Sequence, residues 1–219
     1  MKAFWSRHLA AVLTMLALAA GTPNDARAEE RILWFSISDG LTNTTNLQNA
    51  IDFAVANRYN AICVLARYRA NAYYIPNRNF STFPNPENQA SGAAGDTLQF
   101  AIDRGREAGL RVYAAFGCFL VTDNSNTLPA HISSDWVTHI YKDVDPPVAT
   151  NDLTYSPDPG FPRAMVASDN EGLWVDPGIT AVRTYTRNVM RDIVQNYDID
   201  GIILDRIRYP GDASPHRTR

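Results

Sequence analysis

Four short, nearly unbroken apolar runs alternate with helical patterns along this chain: Ile32–Ile37, Ala61–Ala66, Leu110–Phe116 and Gly201–Leu204. No other feature constrains the fold as strongly. A strand with one wet face alternates polar and apolar residues, whereas continuous apolar runs suit parallel strands covered on both sides. Between the runs, Leu47, Ala50, Ile51, Ala54 and Val55 form a helical stripe after a Thr44-Thr45 start. Asp96 and Gln99 have the spacing of a capping box; Leu98, Ala101, Ile102, Gly105 and Ala108 follow on one face, and Gly109 supplies the stop. A third helix is predicted to start at Asp176-Pro177, bury Val182, Tyr185, Val189 and Ile193, and end near Tyr197. The order β-α-β-α-β-α-β implies a parallel sheet with right-handed crossovers.

Connection lengths locate the chemistry. Helix-to-strand links are tight, at residues 57–60, at Gly109 alone and at residues 197–200, whereas the strand-to-helix loops at residues 67–95 and 117–175 are long. Long loops at the carboxyl ends of parallel strands are where α/β folds carry their sites.

The N-terminus has a different character. Lys2 and Arg7 precede an apolar run from Leu9 to Ala20, and Ala26-Arg27-Ala28 follows at cleavage distance, the layout of a secretory signal peptide. The alternative is an uncleaved anchor, for which the run is short. Cleavage near Ala28 removes three cations and one anion, taking the formal net charge from −3 to −5, and starts the domain at residue 29. An acidic chain without Lys/Arg clusters is a poor nucleic-acid binder. The expected setting is secreted or periplasmic, with no membrane association once the signal is removed. Two cysteines, Cys63 and Cys118, make no disulfide scaffold; export permits a bridge between them, and two buried free thiols is the alternative.

The sharpest chemical signal runs from Asp200 to Pro210. Strand alternation puts Gly201, Ile203 and Asp205 on one face, so Asp205 points toward a barrel axis if Ile202 and Leu204 meet the helices. A carboxylate there serves as nucleophile or proton carrier toward a sugar, or else is a structural partner of Arg206 or Arg208. By the same parity Arg67 shares a face with Cys63 and Leu65 and projects inward, to orient an acidic partner or bind a substrate carboxylate or hydroxyl; a surface arginine in a polar loop is the alternative. Asn71, Tyr74, Arg208 and Tyr209 join it as candidate substrate contacts. Asp39 does too, although Asp39-Gly40 is also an ordinary turn signal. Loop aromatics (Tyr68, Tyr73, Tyr74, Phe80, Phe83, Phe119, Trp136, Tyr155, Phe161 and Trp174) suit sugar rings but equally pin loops to the body. His131 and His139 lack metal-site spacing, and no phosphate loop, dinucleotide fingerprint or nucleophile elbow occurs.

Residues Leu173 to Gly178, then Val182-Arg183, Tyr185, and Tyr197 through Asp205 to Tyr209-Pro210, resemble the glycosyl-hydrolase-like 10 family. The stretches Arg67–Tyr74 and Asp96–Leu110 match it in order and spacing, so the likeness covers nearly all of Arg31–Gly211. The resemblance implies an exported (β/α) barrel protein acting on bacterial polysaccharide, in some members the glycan strands of peptidoglycan. It also implies a catalytic role for Asp205, a positioning role for Arg67, and no metal or organic cofactor. Three positions depart: Ile203 where histidine is frequent, Asn71 where aspartate is usual, and Gly117-Cys118-Phe119-Leu120 in place of an Asn-Pro-Tyr-Arg-like stretch.

The expected fold is thus a partial (β/α)8 barrel of about four parallel strands and three helices, the N-terminal half of a domain that takes roughly 250 residues when whole. Open strand edges then call for a homo-oligomer or a second half-barrel. The expected function is a secreted glycoside hydrolase, with a non-catalytic glycan-binding or degenerate module as the alternative. No convincing second catalytic carboxylate is visible in the sequence; Asp39 is the nearest.

Overall fold

The apolar runs become strands of one parallel sheet, in the order in which they occur. The computed structural model describes residues 29–36, 43–79, 82, 84–90, 95–142, 163–210 and 216–218. The chain divides into Met1–Glu30, of which only Glu29 and Glu30 are described, and Arg31–Arg219, which holds every element below. The predicted signal segment and Asp39 lie outside the described residues.

Strands β1 (Ile32–Phe35), β2 (Ala61–Tyr68), β4 (Arg111–Gly117) and β7 (Gly201–Asp205) pair in parallel in that order, with helices α1 (Thr44–Ala56), α2 (Thr97–Glu107) and α3 (Thr180–Asn196) between them. This is a partial (β/α) barrel. A two-residue strand β3 (Asn71–Ala72) folds back antiparallel on β2. The long loop after β4 carries β5 (His139–Lys142) and β6 (Arg163–Ala164), which form a small antiparallel sheet with β8 (His216–Thr218).

Local signals explain the helix ends. Asn43 caps α1 by accepting from Thr45 N at 2.8 Å. Asp96 accepts from Gln99 N at 3.1 Å, but the Gln99 side chain donates to Asp103 Oδ1 instead of returning to the cap, so half of the expected box forms. Gly109 stops α2 at φ +73°, where a Cβ is unfavourable. Helix α3 begins three residues later than its Asp176-Pro177 signal. Asp176 Oδ1 accepts from Gly178 N at 2.6 Å, which makes that segment a turn leading into the helix.

Ile62 and Val112 face α2, where they would meet a Cβ added at Gly105. Leu47, Ile51, Ala54, Leu98, Ala101, Ile102, Val182, Val189 and Ile193 cover this side of the sheet. Fully burying each large aliphatic side chain contributes about 1.5–3 kcal/mol. Val55, placed in the α1 stripe by periodicity, is exposed. At the edge of the sheet, Leu204 of β7 is exposed as well.

Candidate functional site

One irregularity in β2 decides which side chains reach the cleft. Leu65 pairs with Ala115 but Arg67 pairs with Phe116, so Ala66 is an extra residue in the ladder. Such a bulge re-aims every side chain beyond it. Arg67 therefore leaves the face of Cys63 and Leu65 and joins that of Phe116. Its guanidinium lies 4.9 Å from the Phe116 ring centroid and 5.6 Å from that of Tyr185 on α3.

There Arg67 has no exposed surface and makes an ion pair with equally buried Glu87 at 2.7 Å. It also donates to the carbonyls of Gly117 and Cys118, while the Tyr185 hydroxyl donates to Glu87. Burial works against the charge on Arg67, yet Glu87 and Tyr185 more than offset it and hold its pKa above the ordinary value. Arg67 is thus committed to a buried acidic partner, Glu87. The expectation that it touches substrate is corrected, because a group without surface contacts no polysaccharide. Tyr74 is corrected for the same reason: it is fully buried, accepts from Asn85 Nδ2 at 2.7 Å and packs edge-on against Tyr197. Asn85 also donates to Asp192 Oδ2 at 3.0 Å, which ties the loop after β3 onto α3.

The bulge that removes Arg67 from the cleft brings in Tyr68. A cavity of about 440 Å³ at the carboxyl ends of β1, β2 and β7 is lined by Trp34, Ser36, Leu65, Tyr68, Arg69, Asp205 and Arg206. Trp34 is 42% exposed and, with Tyr68, gives the cavity its aromatic surface. Asp205 is where strand alternation puts it, on the cleft face beside Gly117. Its carboxylate also has the structural partner held open above. Arg206 donates from its backbone N to Oδ1 at 2.8 Å and from Nη1 to Oδ2 at 2.7 Å.

Arg206 holds a second carboxylate that sequence reasoning missed. Glu171, from the long loop after β4, accepts from Arg206 Nε at 3.0 Å and Nη2 at 2.6 Å, a bidentate arrangement. The hydrogen bond from Arg206 holds the Glu171 pKa below the usual carboxylate value. Arg206 itself has left-handed backbone, φ 52°. Nothing in the sequence around Glu171 marked it, since its partner lies 35 positions away.

The other expected contacts, Arg208, Tyr209 and Asn71, are not among the residues that line the cavity. Arg208 stacks 4.9 Å from the Trp174 ring centroid and approaches Glu171 at 3.8 Å. The Tyr209 hydroxyl donates to Asp176 Oδ1 at 2.9 Å. Asn71 Nδ2 donates to the Arg69 carbonyl at 2.8 Å, bracing the hairpin between β2 and β3. Trp174 is buried, Trp136 packs on Tyr185, and Phe80, Phe83, Tyr155 and Phe161 lie outside the described residues. Cys63 and Cys118 are free and buried, and burial pushes their thiols up to about 12 and about 11. Among the described residues no cluster of His, Cys, Asp and Glu side chains converges on a metal position.

A family model described as glycosyl hydrolase-like 10 matches residues 29–216. An S-layer-related protein of Niallia circulans is 27% identical over 140 residues, which cover 61% of this chain and 8% of that protein. The chain thus spans less than a tenth of the length of that curated relative. A crystal structure of a hypothetical protein from Ruminiclostridium thermocellum superimposes with TM-score 0.51 at 15% identity, over 82% of this chain and 78% of that one, a likeness of fold alone. A maltogenic α-amylase, AmyB of Thermotoga neapolitana, aligns with TM-score 0.46 at 14% identity, over 83% of this chain and 40% of that one. The family match spans all four parallel strands, the strand-end Asp205 and the Leu173-to-Pro210 stretch, so the chain belongs to the glycosyl hydrolase-like 10 family, a membership that supports a carbohydrate-related role.

Proposed function

We propose that this protein is an exported polysaccharide-acting glycoside hydrolase module, with Asp205 as the carboxylate that meets the sugar. One observation carries this reading. Asp205, 37% exposed by side chain, stands at the tip of β7 on the wall of a cavity that also presents Trp34 and Tyr68. Arg206 engages both of its oxygens and so fixes its orientation, as a nucleophile requires. Aromatic faces suit the apolar faces of pyranose rings, and the volume falls in the range of ligand sites. Export is supported by the basic, then apolar, then Ala-x-Ala order of the first 28 residues.

Glycosidic cleavage also needs a proton donor. Glu171 is a poor one, because Arg206 favours its charged form. That network favours a second reading: a glycan-binding module in which the carboxylates are structural. The two readings separate on sugar release and retention from an insoluble polysaccharide, the glycan strands of peptidoglycan among the substrates tried. A hydrolase releases reducing ends, loses that release with Asp205→Asn, and keeps retention on the glycan. Retention without release by the native protein would rule out the hydrolase. Neither retention nor release would rule out both.

A further inference from the structure

Within the proposed glycan cleft, one arginine makes no ion pair or side-chain hydrogen bond among the described residues. The turn from β2 to β3 is a two-residue loop, Arg69-Ala70, in which both residues have left-handed backbone, φ 51° and 55°. Loops of this type normally place Asn-Gly there, because a side chain is strained in that region. The Asn71 side chain holds the loop by donating to the Arg69 carbonyl. The result is an arginine aimed into the cavity. Its guanidinium lies 4.7 Å from the Tyr68 ring centroid, and its Nε is buried without an acceptor. No ion pair or side-chain hydrogen bond of Arg69 occurs among the described residues.

Charge balance makes this arginine available. Asp205 and Glu171 are both committed to Arg206, and Arg208 also approaches Glu171. Three guanidiniums therefore face two carboxylates, and Arg69, whose charge reaches Glu171 only at longer range, is the one that pairs directly with neither. A guanidinium offers a planar fork that matches a carboxylate in two parallel hydrogen bonds. The adjoining Tyr68 and Trp34 would take the ring that carries it.

We propose that Arg69 is an anion-recognition residue of the cleft and that the glycan is acidic, its sugar carboxylate paired with this arginine. The proposal rests on the glycan-cleft reading and narrows it to carboxylate-bearing sugars such as uronates or lactyl-ether amino sugars. The test uses the full chain on immobilised polygalacturonate, peptidoglycan glycan strands, carboxyl-reduced forms of both, a sulfated galactan, and neutral chitin and cellulose. Retention is expected on at least one carboxylate-bearing glycan, with affinity falling about tenfold or more on carboxyl reduction and on Arg69→Gln. Arg69→Lys should restore it in part, with the melting temperature unchanged throughout. Binding to neutral or reduced glycans that ignores Arg69→Gln overturns the charge assignment and leaves the glycan cleft standing. Binding confined to the sulfated galactan overturns the carboxylate assignment. Binding to none of them overturns both.

Discussion

Replacing Arg67 with methionine tests the central claim about the bulge, that this arginine belongs to the core and not to the cleft. Neither Arg67 nor Glu87 exposes any side-chain surface, and Glu87 Oε2 already lacks a partner. Methionine would leave Glu87 Oε1 with Tyr185 alone and strip the carbonyls of Gly117 and Cys118 of their shared donor. Breaking one side of a buried pair typically costs about 3–5 kcal/mol. In a domain of this size each kcal/mol moves the melting temperature by about 2–4 °C, so Arg67→Met should lower it by about 6–20 °C. The double variant Arg67→Met/Glu87→Leu removes the stranded charge along with its partner and should regain most of that loss, a favourable coupling in a double-mutant cycle. Thermal and urea unfolding followed by circular dichroism measure both. Glycan retention well below the melting temperature should match the native protein. A single-variant cost under about 1 kcal/mol, or a double variant worse than the sum of the singles, would refute the buried-pair argument.

Two further outcomes are expected. Gly105→Ala would put a Cβ 2.7 Å from Val112 Cγ2 and 3.2 Å from Ile62 Cδ1, so overpacking should outweigh the better helix propensity and lower stability by about 1–2 kcal/mol. A raised melting temperature would contradict that packing. His131 stacks near Tyr185, with Nδ1 buried and unpartnered, and burial lowers its pKa. Between that lowered value and about 6.5 the unfolded state holds more proton on this residue, so its contribution is complete above about pH 6.5 and is lost as pH falls. Melting temperature should therefore drop from pH 7 toward pH 5, and His131→Gln should flatten that slope; an unchanged slope would remove His131 from the account.

Much of the molecule is legible in its sequence. Helix α1 starts at the expected Thr44-Thr45 pair, although its cap, Asn43, was not among the signals read, and α2 starts and stops where Asp96 and Gly109 direct it, since caps and stops act within one turn of chain. The parallel sheet followed from continuous apolar runs separated by helices, and the cleft-facing placement of Asp205 from two-residue alternation along a strand in regular register.

Tertiary structure decided what alternation alone could not. Parity counting assumes an unbroken ladder, and the extra residue Ala66 reverses it, sending Arg67 into the core and Tyr68 into the cleft. No local pattern announces a bulge in a run as uniformly apolar as Ala61–Ala66, because either face of such a run can be buried. Partners brought together by folding were equally hidden: Glu87 for Arg67 across 20 positions, and Glu171 for Arg206 across 35. Ion pairing depends on distance in space, and long loops such as these leave that distance open until the sheet and helix α3 close around them. The chain's own sequence therefore determined its layers and the carboxylate at the strand tip, while packing chose which cation pairs with it and which one does not.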